Sequence, residues 1–136
     1  MSDLSIKMRL SVLWLIGVLN NVVAILLSFF ESGVIEQIIA GEIEDTKLTP
    51  ELLLIFAIFF LIPLTMAFLS LTLKYSLNRR VNIFLGIFFA GLSLVELFQQ
   101  ITNQSAYAIL LSVVAGIVPA LIFWYSWKWP KQQIES

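Results

Sequence analysis

Five polar side chains in or beside apolar stretches of this sequence are the best candidates for chemistry: Asn20, Asn21, Glu31, Ser93 and Glu96. An amide inside a membrane costs about 1–3 kcal/mol on protein scales unless it is hydrogen-bonded. Glu96 is the one acid within a predicted span, and such a residue is a functional-site candidate that could hold a cation or carry a proton. Glu31 is expected at a similar depth. Together the five residues predict a polar cavity open to one face of the membrane.

Both the asparagines and Glu96 have a second interpretation. The asparagines can hydrogen-bond a serine or a kink-freed carbonyl of a neighbouring helix, since polar side chains commonly join membrane helices. Glu96 can reach outer water if its helix ends early, because Gln99 and Gln100 follow at once. The sequence leaves these alternatives open.

Composition narrows the function classes. The 136 residues are 60% hydrophobic with a mean hydropathy of +0.96, above the roughly 45–50% apolar content of soluble domains. Because there is no cysteine and no histidine, disulfides, thiolate nucleophiles and histidine bases are excluded. The net charge of −1 gives no reason to expect a nucleic-acid partner. We expect no enzyme activity, no catalytic residue, no cofactor and no metal site.

Four apolar segments are each long enough, at roughly 20 residues, to cross a bilayer core as a helix. They predict an all-α fold, a transmembrane four-helix bundle that forms a single integral membrane domain over residues 1–136. Residues 32–41 place their branched apolar side chains on one helical face and predict a short amphipathic interfacial helix between spans 1 and 2. A basic loop at 74–80 and a polar turn at 99–105 are predicted to connect the later spans. The predicted spans are about 10–30, 52–73, 81–98 and 106–127.

Charge predicts the orientation. An even number of spans puts both termini on one side, and seven of the eight basic residues lie at that side: Lys7, Arg9, Lys74, Arg79, Arg80, Lys128 and Lys131. By the positive-inside rule the N- and C-termini are cytoplasmic. The outer side is acidic, with Glu31, Glu36, Glu42, Glu44, Asp45 and Glu51 against one lysine, Lys47.

Several short motifs carry a resemblance to a known family. They are Leu10-Ser11-Val12-Leu13-Trp14 with Leu19-Asn20, Ile62-Pro63 leading to Tyr75, Asn78-Arg79, Asn82-Ile83, and Trp124-Tyr125-Ser126-Trp127-Lys128-Trp129. With these the chain resembles the DUF6326 family of small bacterial four-helix membrane proteins, which is loosely similar to DoxX-like proteins. The resemblance implies four helices in the bacterial inner membrane and supplies no activity.

Two function classes remain open. The first is a structural or partner-binding four-helix membrane protein, whose polar groups serve packing and whose partners are the lipid bilayer and either a second copy or another membrane protein. The alternative is a small-molecule or cation carrier or binding protein. In that case an outward-facing polar cavity would run from Glu31 and Glu96 to Asn20 and Asn21.

Overall fold

Four long helices dominate the computed structural model, which describes residues 2–43 and 46–131. A short helix and a two-stranded hairpin lie between the first two of them. Each long helix is long and apolar enough to cross a membrane, so the predicted all-α four-helix architecture is confirmed. The elements are α1 Asp3–Ser28, α2 Val34–Ile39, β1 Glu42–Ile43, β2 Thr46–Lys47, α3 Pro50–Thr72, α4 Tyr75–Asn103 and α5 Ala106–Trp127.

Side-chain caps fix where two of the long helices begin. The Ser2 hydroxyl accepts a hydrogen bond from the backbone N–H of Ser5 at 3.1 Å, which starts α1. The Thr49 hydroxyl accepts from Leu52 N–H at 3.1 Å, with Pro50 at the first helical position of α3. A hydroxyl at the N-cap satisfies one of the four unpaired N–H groups of a helix start, and proline at the first position loses no bond.

Helix α4 is longer than the sequence-based expectation. Most of the predicted basic loop at 74–80 and most of the predicted polar turn at 99–105 are helical, so the predicted third span, 81–98, lies inside a longer helix of 29 residues. Hydropathy marks the apolar part of a helix, whereas backbone hydrogen bonds continue until a residue leaves the helical conformation. Here that residue is Gln104, with φ 58°.

The segment between α2 and α3 forms a small antiparallel hairpin that pairs Glu42 with Lys47 and Ile43 with Thr46. Glu44 and Asp45 lie outside the described residues. The predicted helix within 32–41 is present as α2, and its position at a membrane interface remains a prediction.

The long helices pack as a curved row in the order α3, α1, α5, α4. Helices α3 and α4 make few contacts with each other, which leaves a seam between them. We call the end that holds the start of α1 and the end of α5 the terminal end, and the end near α2 the hairpin end. The buried apolar core lies toward the terminal end and includes Ile6, Leu10, Trp14, Met66, Val118 and Ile122.

Buried amides join three helices at the terminal end. Asn78 Nδ2 donates to the carbonyls of Ser70 at 2.8 Å and Leu73 at 3.2 Å, which caps the end of α3. Asn82 Nδ2 donates to Asn78 Oδ1 at 2.6 Å, and Asn82 Oδ1 accepts from Trp14 Nε1 at 2.7 Å. Asn78, Asn82 and Ser70 are fully buried. These three side chains therefore satisfy one another's hydrogen-bonding groups, as buried polar groups in folded proteins usually do.

Helix α5 is held at the same end. Arg79 Nε donates to the Ser126 carbonyl at 3.0 Å, and its Nη2 donates to the Trp127 carbonyl at 3.3 Å. A cation at a helix C-terminus is favourable because it faces the negative end of the helix dipole. Trp129 Nε1 donates to Asp3 Oδ1 at 2.9 Å, so the chain after α5 contacts the start of α1. The terminal end is therefore closed by hydrogen bonds among all four long helices.

Candidate functional site

At the hairpin end, α1, α4 and α5 enclose a cavity of about 550 Å³. This volume falls within the roughly 300–1,000 Å³ of small-molecule sites. Two carboxylates, four amides and four hydroxyls lie in its wall among smaller apolar side chains. The lining residues are Asn20, Asn21, Ala24, Ile25, Ser28, Glu31, Glu96, Gln100, Asn103, Ser105, Tyr107, Ala108, Leu111, Ser112 and Ala115.

The cavity reaches well below the hairpin end of the bundle. On α5 its wall runs from Ser105, just before the helix, to Ala115. At a rise of about 1.5 Å per residue, ten residues correspond to about 15 Å. That is about half of the roughly 30 Å hydrocarbon thickness of a bilayer. The cavity therefore extends along about half the length that a membrane-spanning helix needs.

Asn20 and Asn21 lie at the inner end of the cavity and are both half-buried. Asn20 Nδ2 donates to the carbonyl of Leu111 at 3.0 Å, which joins α1 to α5. Asn20 therefore makes the interhelical bond expected of a packing residue and also lines the cavity. Asn21 is on the stripe that continues through Ala24 to Ser28, all of which line the same wall.

Glu31 lies at the mouth, just beyond the end of α1. The Tyr107 hydroxyl donates a hydrogen bond to Glu31 Oε1. This contact joins the hairpin ends of α1 and α5 and orients one carboxylate oxygen. Tyr107 has no counterpart among the predicted site residues, because nothing local in the sequence indicates which face of α5 meets Glu31.

Glu96 lies deeper than Glu31. Helix α4 continues for seven residues past it to Asn103, so the helix does not end early at this point. Ser93 on α4 contacts Ala115 on α5, and the two helices are antiparallel. About one helical turn closer to the hairpin end, Glu96 on α4 therefore lies level with Ser112 on α5. Its side chain is exposed and lines the cavity. The two carboxylates thus stand at two levels of one cavity.

Ser93 lies beside the cavity and does not line it. Its hydroxyl is 2.7 Å from the Ala115 carbonyl and 2.8 Å from the Phe89 carbonyl. Pro119 has no N–H to donate to the carbonyl four residues earlier, and that carbonyl is the one on Ala115. The Ser93 hydroxyl therefore satisfies an acceptor that Pro119 leaves unpaired. The structure brings Asn20, Asn21, Glu31 and Glu96 together and assigns Ser93 to helix packing.

The electrostatics of the cavity are one-sided. Glu31 and Glu96 are its charged lining residues, and none of the fifteen is lysine or arginine. Across residues 2–43 and 46–131, no group of three or more aspartate or glutamate side chains could hold a metal ion. The arrangement suits binding and orienting a small solute through hydrogen bonds and two negative charges.

Comparison with known proteins identifies the family. No curated protein and no solved structure matches this chain. The family model DUF6326, described as a family of unknown function, matches residues 3–136, which is essentially the whole sequence. The four membrane-capable helices agree with the four helices that the sequence resemblance implies. The chain is a member of the DUF6326 family.

Proposed function

We propose that this chain is a multi-pass membrane protein that binds a small polar molecule in the cavity between α1, α4 and α5. The observation that carries the proposal is the cavity itself. It has a volume of about 550 Å³ and is lined by ten polar side chains within the bundle. Binding is the function that such a concave polar surface supports best.

The contrast between the two ends of the bundle supports this proposal. At the terminal end the buried amides of Asn78 and Asn82 bond each other and neighbouring carbonyls, which is how polar groups behave when they serve packing alone. At the hairpin end Asn21, Glu96 and Gln100 line a cavity. Polar groups at membrane depth that surround a cavity mark a route or site for a polar solute.

We also propose that the cavity faces the outside of a bacterial cell, with the protein in the inner membrane. The support is the charge distribution, since seven of the eight lysine and arginine residues lie at the terminal end. By the positive-inside rule that end is cytoplasmic. The ligand would then enter past Glu31 and Tyr107 from the outer side.

The sequence allows a sharp test because it contains no cysteine. Ala24→Cys places one thiol in the cavity wall, and Val23→Cys places one on the neighbouring, 45% exposed outer face of α1. In lipid nanodiscs we expect N-ethylmaleimide to modify Ala24→Cys at least about tenfold faster than Val23→Cys. The reason is that an apolar environment raises the pKa of a thiol, and each unit of that rise lowers the amount of reactive thiolate tenfold. Equal, slow modification of both variants would show that the cavity is dry and would contradict the proposal.

A second candidate function, partner binding, is favoured by the seam between α3 and α4. The seam holds an apolar groove of about 270 Å³ lined by Ile58, Leu61, Ile62, Thr65, Met66 and Leu85. We propose a second copy of this chain as its occupant, because α3 is itself an apolar helix with a largely exposed surface that could fill it.

Oxidation of Leu61→Cys in native membranes tests this second candidate. A disulfide-linked dimer is expected for Leu61→Cys, and none for Leu19→Cys, whose exposed side chain lies on α1. A Leu61→Cys chain that stays monomeric would contradict dimerisation through the seam.

A further inference from the structure

The charge and the shape of the cavity together indicate the class of ligand. Resting on the binding function proposed above, we propose that the ligand is an organic ammonium cation with an apolar body, whose charge is neutralised by Glu31 and Glu96. The inference has three parts: the sign of the charge, its position along the cavity, and the chemistry of the remaining wall.

The sign of the ligand's charge follows from the charged residues that line the cavity. Two carboxylates line one cavity, and no lysine or arginine lines it. Low-dielectric walls focus the field of charges in a cleft and raise the local concentration of counter-ions. Because protein and lipid surround this cleft, the carboxylates are screened less than carboxylates on an open surface. A cation is therefore favoured in the cavity over a neutral solute of the same size, and an anion is disfavoured.

The two acidic residues lie at different depths in the cavity. Glu31 is at the mouth, where Tyr107 holds one of its oxygens. Glu96 is deeper, on the opposite wall provided by α4. An entering cation would first meet Glu31 and then come within reach of Glu96.

The rest of the wall indicates an organic cation. Ala24, Ile25, Ala108, Leu111 and Ala115 supply an apolar surface beside the polar groups. A calcium ion needs about six to eight oxygen ligands at 2.3–2.6 Å, and within the described parts of the chain no three acidic side chains converge. A volume of about 550 Å³ is also far larger than one ion requires. An ammonium group attached to an apolar body matches both kinds of surface.

Protection of a cavity thiol tests the inference. Full-length Ala24→Cys in nanodiscs is labelled with uncharged N-ethylmaleimide in the presence of phenyltrimethylammonium, benzenesulfonate, benzyl alcohol or calcium chloride. We expect phenyltrimethylammonium to slow labelling at least fivefold and the three other probes to slow it less than twofold. In Ala24→Cys with Glu31→Gln and Glu96→Gln, labelling should persist and the protection by phenyltrimethylammonium should fall at least fivefold.

The outcomes separate this inference from the binding function on which it rests. If N-ethylmaleimide labels Ala24→Cys quickly but all probes protect alike, or calcium alone protects, the cavity stands and the ammonium ligand is wrong. The same conclusion follows if phenyltrimethylammonium still protects fully after both glutamates are replaced. If Ala24→Cys is not labelled at all, the cavity is closed to solutes and both proposals fail.

Discussion

Trp14 donates its indole N–H to Oδ1 of Asn82 at 2.7 Å, across 68 residues of sequence, and both side chains are buried. The bond joins α1 to α4, two helices that are not neighbours in the row. The Ser70 hydroxyl on α3 lies 3.4 Å from the same oxygen. One amide oxygen thus connects three helices near the terminal end, while the other end of the bundle holds a cavity.

Replacing Trp14 by Phe tests the strength of this connection. Phenylalanine keeps an aromatic ring that can contact Phe89 edge-on, but the substitution removes part of the buried indole volume and its N–H, so that Asn82 Oδ1 loses its shortest donor from another helix. We expect the free energy of unfolding in mixed detergent to fall by about 1–2 kcal/mol, the scale of interhelical hydrogen bonds in membrane helices. The control is Trp124→Phe, since Trp124 is 54% exposed. A loss no larger than the control's would contradict a structural role for the indole N–H.

The closeness of α4 and α5 depends on Gly86. A Cβ atom there would lie 3.1 Å from both the Phe123 backbone nitrogen and the Pro119 carbonyl oxygen. Because backbone cannot move aside as a side chain can, we expect Gly86→Ala to lower the free energy of unfolding by about 1–3 kcal/mol, the usual cost of overpacking.

Gly91 on the same helix is the matched control for Gly86. A Cβ atom added there meets nothing within 4 Å. Gly91→Ala should therefore be neutral or stabilising by up to about 1 kcal/mol, because alanine loses less backbone entropy in a helix. The same detergent unfolding measurement compares the two variants, and equal effects would refute the close α4–α5 packing.

The sequence predicts the helices better than their ends. Hydropathy identifies four long apolar segments because a span must exclude charge over about 20 residues. It does not identify the extension of α4 from Phe98 to Asn103, since polar residues such as Gln99 and Thr102 form helical hydrogen bonds as readily outside an apolar region. The length of a helix and the length of its apolar span are separate properties, and hydropathy predicts only the length of the apolar span.

The candidate site shows a similar division. The spacing of Asn21, Ala24, Ser28 and Glu31 is helical, and these residues line one wall of the cavity. Their partners across the cavity depend on how α5 is rotated and shifted along α1, which one sequence does not encode locally. The Tyr107–Glu31 contact, between residues 76 positions apart, is of this second kind.

Removing the Tyr107 hydroxyl should loosen the mouth of the cavity. Tyr107→Phe deletes the hydrogen bond to Glu31, and a net hydrogen bond of about 0.5–1.5 kcal/mol corresponds to about a two- to tenfold change in an opening equilibrium. We expect N-ethylmaleimide to label Ala24→Cys faster by a factor in that range when Tyr107→Phe is added. Tyr75→Phe is the control, because the Tyr75 hydroxyl donates to the Trp129 carbonyl at the opposite end. An unchanged labelling rate in the Tyr107→Phe background would show that this contact does not restrict access.

Ser93 and Pro119 should be energetically coupled through the carbonyl of Ala115. Ser93→Ala alone leaves that carbonyl without the hydroxyl 2.7 Å away, and we expect a loss of about 0.6–1.7 kcal/mol in the free energy of unfolding. When Pro119 is also replaced by Ala, residue 119 regains an N–H that can donate to the same carbonyl. Ser93→Ala should then cost less, with a coupling energy of at least about 0.5 kcal/mol in the double-mutant cycle.

A second cycle gives the control for this coupling. The Ser28 hydroxyl donates to the Ile25 carbonyl within its own helix, α1, far from Pro119. Ser28→Ala combined with Pro119→Ala should be additive, because the two sites share no acceptor. Additivity in the Ser93 cycle as well would mean that the Ala115 carbonyl does not need the hydroxyl. In that case Ser93 would be free to serve the cavity, and its assignment to helix packing would be wrong.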